Sequence, residues 1–182
     1  YESNSYGLSG LVKMLGHTPI RYPAVHDSMD ALRAQFDVAA KECDLFLTSG
    51  GVSMGEWDFV RKLMETEGDL VFWRVKIRPG SPPLFGHWNG TPMFGLPGNP
   101  VSSHVVFRML VVPYLRGSLN TPFPHDRIVH ARLNTNVRST KDCLTLRRVT
   151  LQSTENGFIA NQPKHQAVSY THLRAHETSR NL

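Results

Sequence analysis

Two glycine-rich stretches, SGGVSMG (residues 49–55) and GLPGNP (residues 95–100), each follow an apolar run and each lead into a segment with helical spacing. A chain that repeats strand, glycine turn and helix in this way is confined to a small set of folds. The commonest is an open sheet in which ligands are held at the carboxyl ends of the strands. Glycine lets the backbone approach a ligand closely, and N–H groups at a helix start attract anions. The competing reading is that both stretches are tight turns required only for packing. Two of them in one short region weigh against it.

The flanking patterns agree with that framework. Leu8, Leu11, Val12 and Leu15 fall at helical spacing and Gly16 is a suitable stop, which predicts a helix over residues 5–17. Residues 18–24 read as a short strand. Asp27, followed three residues later by Asp30, caps a helix whose buried face is Leu32, Phe36, Ala39 and Ala40. Residues 44–48 form a continuous apolar run of the kind a strand covered on both faces requires. Phe59, Val60, Leu63 and Met64 mark a further helix. Residues 70–78 alternate strictly, with Arg74, Lys76 and Arg78 sharing one strand face. Asn89-Gly90 is a hairpin signal, because a two-residue turn needs the positive φ that these residues adopt cheaply. Asn99 then caps a helix with Pro100 at its first position and an apolar face of Val101, Val105, Met109 and Val112.

The expected fold class is α/β: an open, mostly parallel sheet with helices on both faces over residues 1–117. Residues 118–126 (SLNTPFPHD) read as a linker. Residues 127–167, with short runs at 128–133, 144–151 and 158–159, read as part of a separate, all-β, barrel-like domain.

Hydrophobic residues at 40% and charged residues at 19% are the composition of a folded chain, not a disordered one. Lys and Arg number 20 against 15 Asp and Glu, a net charge of +5 with no consecutive basic block. That balance favours small anionic ligands over a nucleic-acid surface. No apolar stretch is long enough to span a membrane and no signal-peptide order is present, so a cytoplasmic location is expected. Cys43 and Cys143 form no CxxC pair and are read as ordinary thiols. His17, His26, His87, His104, His125, His130 and His165 are scattered singly and read as structural or surface residues. Trp57, Trp73 and Trp88 are read as packing anchors.

The acidic candidates are Asp27, Glu56 and Asp58, each at an expected helix start. They read either as caps and dipole partners or as carboxylates that hold Mg²⁺ beside a phosphate cradle. Arg74, Lys76 and Arg78 read either as a solvated face or as neutralising groups for a phosphate or oxyanion. Ser53 and Ser102 are candidate donors to a bound oxygen.

YESNSYGL (residues 1–8), TSGGVSMGEWDFV (48–60), KIRPGSPPLFG (76–86) and GLPGNPVSS (95–103), in that order, resemble the C-terminal half of the MoeA-type molybdopterin molybdenumtransferases, the family that includes the gephyrin E-domain. The resemblance runs to about residue 166. It implies a molybdopterin-binding α/β domain and the start of a C-terminal β domain. The implied reaction inserts molybdate into adenylylated molybdopterin with metal-dependent release of AMP, using Mg²⁺. Asp27 and Asp58 match family aspartates implicated in the site and, with Glu56, would hold the metal. Gly50, Gly51, Ser53, Gly55, Pro97, Gly98, Asn99, Pro100 and Ser102 match the pterin and phosphate loops. Lys76 and Arg78 fall in the basic K-x-R/K-P-G-x-P segment, where this chain has Ser81 and family members often have lysine. The family also implies a homodimer in a full-length protein and a molybdopterin adenylyltransferase as pathway neighbour.

Residue 1 reads as mid-protein, and the family's long N-terminal region has no counterpart here, so at most ligand binding is expected of these residues by themselves. Residues 168–178 (VSYTHLRAHET) resemble the conceptual translation of a sequencing adapter, and residues 168–182 are expected not to be biological. The pair His172 and His176 in that stretch is discounted accordingly. A stand-alone molybdopterin adenylyltransferase and a gephyrin-like scaffolding module are the alternatives. The extension after Gly117 and the VSMGEWDF wording favour the transferase over the first, and no sequence feature supports the second.

Overall fold

The structure, a computed structural model, describes residues 3–25, 28–52, 58–119 and 128–163. The chain divides into two compact units, Tyr1–Phe123 and Pro124–Leu182. In the first unit the elements are α1 (Asn4–Met14), α2 (Met29–Glu42), β1 (Phe46–Ser49), α3 (Phe59–Thr66), β2 (Asp69–Trp73), β3 (Ile77–Arg78), β4 (Leu84–Trp88), β5 (Thr91–Leu96), α4 (Pro100–Val106), a π-helical turn over Phe107–Val111, and α5 (Val112–Leu119).

Four strands form one sheet in the order β1-β5-β4-β2. β1 runs parallel to β5, while β5 with β4 and β4 with β2 are antiparallel. The β4–β5 hairpin turns at Asn89 (φ 49°) and Gly90 (φ 82°), the left-handed pair that the Asn-Gly signal demands. Alternation along β5 splits the interior into two layers. Met93 faces a cluster with Leu32, Phe36, Phe46, Val60, Leu63 and Leu84, packed with α2 and α3. Phe94 and Leu96 face the opposite cluster of Leu8, Ile77, Val106, Phe107, Val111 and Val112, packed with α1 and the α4–α5 helix. Helices therefore cover both faces of the sheet, as the sequence predicts.

Four local expectations differ from what is observed. Residues 18–24 join no ladder, because Pro19 and Pro23 withhold two backbone donors from that segment. The continuous strand over 70–78 is broken at Arg74, whose φ of 72° turns the chain, while Arg74 N and Val75 N donate to Pro83 O and Ser81 O. Arg74, Lys76 and Arg78 consequently do not line one strand face. The N-cap of α2 is Ser28, whose side chain accepts from Ala31 N, one position after the expected cap at Asp27, which itself lies outside the described residues. Finally, the buried face after Pro100 is Ser103, Val106, Phe107, Val111 and Val112, with Met109 39% exposed. The π turn shifts the phase of that helix just before Pro113, which has no N–H to give.

The second unit contains β6 (Ala131–Leu133), β7 (Leu144–Thr145), β8 (Thr150–Thr154) and β9 (Gly157–Asn161). β9 lies between β6, to which it is parallel, and β8, to which it is antiparallel. The register places Leu133 and Leu151 beside Ala160, so one face of this small sheet is apolar. The expected tail, residues 168–182, and most of the expected linker lie outside the described residues.

Phe36 is 2% exposed and meets Phe46 and Trp88 edge to face, at centroid separations of 5.1 and 5.5 Å. Phe36→Ala is expected to cost about 3–5 kcal/mol, measured as a loss of urea stability of the α/β unit. On the surface, the Arg33 guanidinium joins α2 to the residue after α3, donating to Glu67 at 2.5 and 2.6 Å and to Asp30 at 2.6 Å. Its hydrogen bonds to Glu67 hold that carboxyl below the ordinary value. The contribution is therefore present above the ordinary carboxylate pKa and is lost as pH falls through the depressed one. Arg33→Gln should return the NMR titration of Glu67 to its usual range; an unshifted midpoint would contradict the assignment.

Candidate functional site

Both glycine loops begin where the parallel pair ends. Ser49 lies opposite Leu96 in the β1–β5 register, and Gly50 N donates to Leu96 O at 2.8 Å. The loops leave the sheet side by side: a Cβ built on Gly98 would lie 3.7 Å from the Gly50 Cα. Gly50 has a φ of 96° with open space around it, whereas Gly51, at φ 68°, packs against Val60 so that an added Cβ would come within 2.9 Å of Cγ2. Val52 is buried over Gly95, where an added Cβ would meet Val52 Cγ1 at 2.5 Å. The first loop thus lies directly on the strand that delivers the second.

Asn99 caps α4 as predicted. Its Oδ1 accepts from Val101 N at 3.0 Å and Ser102 N at 3.2 Å. Pro97 O accepts from the hydroxyl of buried Ser103, and Pro100 occupies the first turn of α4. The Val101 and Ser102 amides are committed to this cap, so the second loop is a rigid ledge, and those two amides are not the free donors of a helix-start anion site. Asp58 stands at the start of α3, where its carbonyl accepts from Lys62 N at 3.2 Å, but its carboxylate makes no capping hydrogen bond. Of the two sequence readings of Asp58, side-chain capping is not realised.

Lys76, just before β3, and Arg78, within it, are exposed on the segment that leads to Gly80. Gly80, at φ 105°, packs on α4: an added Cβ would come 2.7 Å from Val106 Cγ2 and 3.3 Å from Ser102 O. The basic segment is therefore carried against the helix that follows the second loop, even though it is not a continuous strand. Asp27, Ser53, Gly55 and Glu56 lie outside the described residues, as does Trp57. Among the described residues no three His, Cys, Asp or Glu side chains gather to hold a metal ion. No described helix is long and apolar enough to cross a membrane.

Two further residues join the site. Asn4 Nδ2 donates to Ser49 Oγ at 2.6 Å and to Gly98 O at 2.8 Å, tying α1 to both loops. Trp73 Nε1 donates to Val52 O at 2.9 Å, and the Arg61 guanidinium lies 3.8 Å from the Trp73 ring centroid. The signals for both were weak, a lone asparagine near a helix start and a tryptophan in an alternating strand. A cavity of about 1200 Å³ runs along the unpaired edge of β1, between α1, residues 18–25 and α2. It touches the first loop at Ser49, Gly50 and Gly51 and does not reach the second. Among the described residues the rim brings together Gly50, Gly51, Pro97, Gly98, Asn99 and Pro100, of which the cavity touches only Gly50 and Gly51.

An open α/β sheet whose parallel pair ends level in two abutting glycine loops has the geometry of a ligand rim at the carboxyl ends of its strands. The family model described as "Probable molybdopterin binding domain" matches residues 1–117, and the chain belongs to that family. Its relatives are of the MoeA type. The molybdopterin molybdenumtransferase of Haemophilus influenzae is 37% identical over 115 residues, covering 63% of this chain and 28% of that protein. Molybdopterin molybdenumtransferase 2 of Mycobacterium tuberculosis is 32% identical over 169 residues, covering 90% of this chain and 42% of that protein. The crystal structure of a molybdopterin biosynthesis MoeA protein from a Pyrococcus species superposes with a TM-score of 0.70 at 29% identity, over 91% of this chain and 39% of that one. The chain thus spans well under half the length of these relatives.

Gly50 and Gly51 separate backbone strain from packing. Gly50→Ala is expected to cost about 1–2 kcal/mol from its left-handed backbone alone. Gly51→Ala adds the encounter with Val60 and should lose more in urea denaturation. Equal losses would show that the contact with Val60 yields freely.

Proposed function

We propose that this chain is the pterin-binding part of a molybdopterin molybdenumtransferase, the enzyme class that inserts molybdate into adenylylated molybdopterin and releases AMP. The observation that carries this reading is the convergence of the two loops at the end of β1 and β5, in a chain whose family is molybdopterin-binding. The names of the relatives support the reaction class.

In this reading Gly50, Gly51 and Gly98 admit the phosphorylated pterin to the backbone, and Ser53, Gly55 and Ser102 are proposed further contacts to it. The ledge of Pro97, Asn99 and Pro100, held by the Asn99 cap, orients the ligand without spending substrate binding on ordering the loop. Lys76 and Arg78 supply positive charge to phosphate or molybdate oxygens. Asp58 offers hard oxygen donors of the kind Mg²⁺ takes, one or two protein carboxylates together with ligand phosphates, and Asp27 and Glu56 are the proposed further donors. Bound there, Mg²⁺ would neutralise charge on the phosphates around the bond that releases AMP. We further propose that the complete protein is a cytoplasmic homodimer acting after a molybdopterin adenylyltransferase, and that residues 1–182 alone bind ligand without turnover.

The test is titration of the purified chain with molybdopterin, followed by fluorescence, alongside an assay for AMP release from the adenylylated form. Saturable binding is expected, weakened about 5-fold by Lys76→Ala or Arg78→Ala, in line with about 1 kcal/mol for an exposed charge contact. No AMP release is expected. Failure to bind would overturn the ligand assignment, and robust AMP release would overturn the expectation that these residues lack turnover.

A further inference from the structure

We infer that Asn4 is the positioning residue that fixes the gap between the two glycine loops, so that the width of the ligand rim is set from α1 and not only from the sheet. An asparagine amide nitrogen carries two hydrogens, and at Asn4 both are used: one on Ser49 Oγ at 2.6 Å, the other on Gly98 O at 2.8 Å. One acceptor is the last residue of β1, where the first loop begins, and the other is within the second loop, 45 and 94 positions away in the chain. Neither bond lies within an element, so neither is needed to form a helix or a strand.

Asn4 is also well anchored for this task. It opens α1, whose Leu8 is buried at 8% exposure and whose Leu11, Val12 and Leu15 pack against the same cluster as Phe94, Leu96 and Val106. A shift of either loop must therefore stretch a bond to a side chain that cannot follow. The sheet supplies one other tie at this level, Gly50 N to Leu96 O at 2.8 Å, which holds the roots of the loops. Asn4 reaches two residues further along the second loop, to Gly98, which faces Gly50 across the gap.

This assignment rests on the rim being the molybdopterin site, and the experiment separates the two. Asn4→Asp is nearly isosteric but turns a donor of two hydrogen bonds into an acceptor facing the Gly98 carbonyl. An acidic residue in the first turn suits the helix dipole, so α1 itself is not weakened. In the 182-residue chain, amide exchange is read at Gly50, Val101 and Ser102, whose hydrogen bonds lie at the loops, and at Lys62 and Glu67 in or beside α3 as controls. Molybdopterin affinity is measured on the same samples. The Ser49 hydroxyl can still donate to the new carboxylate, but the bond to the Gly98 carbonyl is lost and replaced by two opposed oxygens, which is expected to speed exchange at the three loop amides by about 10-fold and to weaken molybdopterin binding by a similar factor. The control amides should be unchanged. Ser49→Ala, which removes one acceptor and leaves the bond to Gly98, should fall between the variant and the unmodified chain.

Exchange that accelerates everywhere alike would make Asn4 a general stability residue and overturn the inference. So would loop exchange that does not change, or that rises while affinity holds. If the unmodified chain binds no molybdopterin, the ligand reading fails, and the exchange pattern alone decides whether Asn4 ties the loops.

Discussion

The site depends on one pairing, the parallel register of β1 on β5. Phe46 opposite Met93 and Ser49 opposite Leu96 bring the two strands to their carboxyl ends at the same level. A shift of one residue would turn Phe46 and Leu47 to the opposite faces and exchange the side chains offered to the two helical layers. Because Met93 and Phe94 are both buried, on opposite sides, the register is specified from both faces of the sheet at once. Everything at the rim follows from it: the bond from Gly50 N to Leu96 O, the closeness of Gly98 to Gly50, and the seat of Val52 on Gly95.

The hairpin explains how a mixed sheet achieves this. β5 is delivered by the Asn89-Gly90 turn from β4, so its partner on one side is local in sequence, while β1 arrives from the other side by way of α3 and β2. The second loop is then stiffened by its own residues, through the Asn99 cap and the bond from Ser103 to Pro97 O. The described part of the first loop, residues 49–52, is held by neighbours: Val60 beneath Gly51, Trp73 on the Val52 carbonyl and Asn4 on Ser49. The two loops thus share a composition and differ in what holds them.

Much of this was legible in the sequence because the relevant signals are local. The hairpin, the Asn99 cap with Pro100 behind it, and the helical face of Val60, Leu63 and Met64 each need only a few adjacent residues, and each is observed. What escaped was governed by partners distant in the chain. The alternation from Val71 to Arg78 continues through Arg74, yet the backbone turns there to meet Ser81 and Pro83, and no period-two pattern registers that choice. The phase of the helix after Pro100 was misjudged because a π turn adds a residue to the count, and the run of Val, Phe, Met and Leu offers apolar side chains in either phase. Asn4 was invisible for a related reason: a polar residue in the first turn of a helix is unremarkable until its two acceptors are known.

The bond from Trp73 to the Val52 carbonyl has an optical consequence. Trp88 is 4% exposed and bonded to Asp37, deep in the layer below α2, so its emission is a steady background. The indole of Trp73 instead lies under the Arg61 guanidinium and carries its hydrogen bond to the first loop itself. A displacement of that loop changes both the polarity and the quenching around the Trp73 indole, an effect read cleanly once Trp57, outside the described residues, is replaced by Phe. The protein therefore contains, without any label, a reporter wired to one wall of its own binding rim.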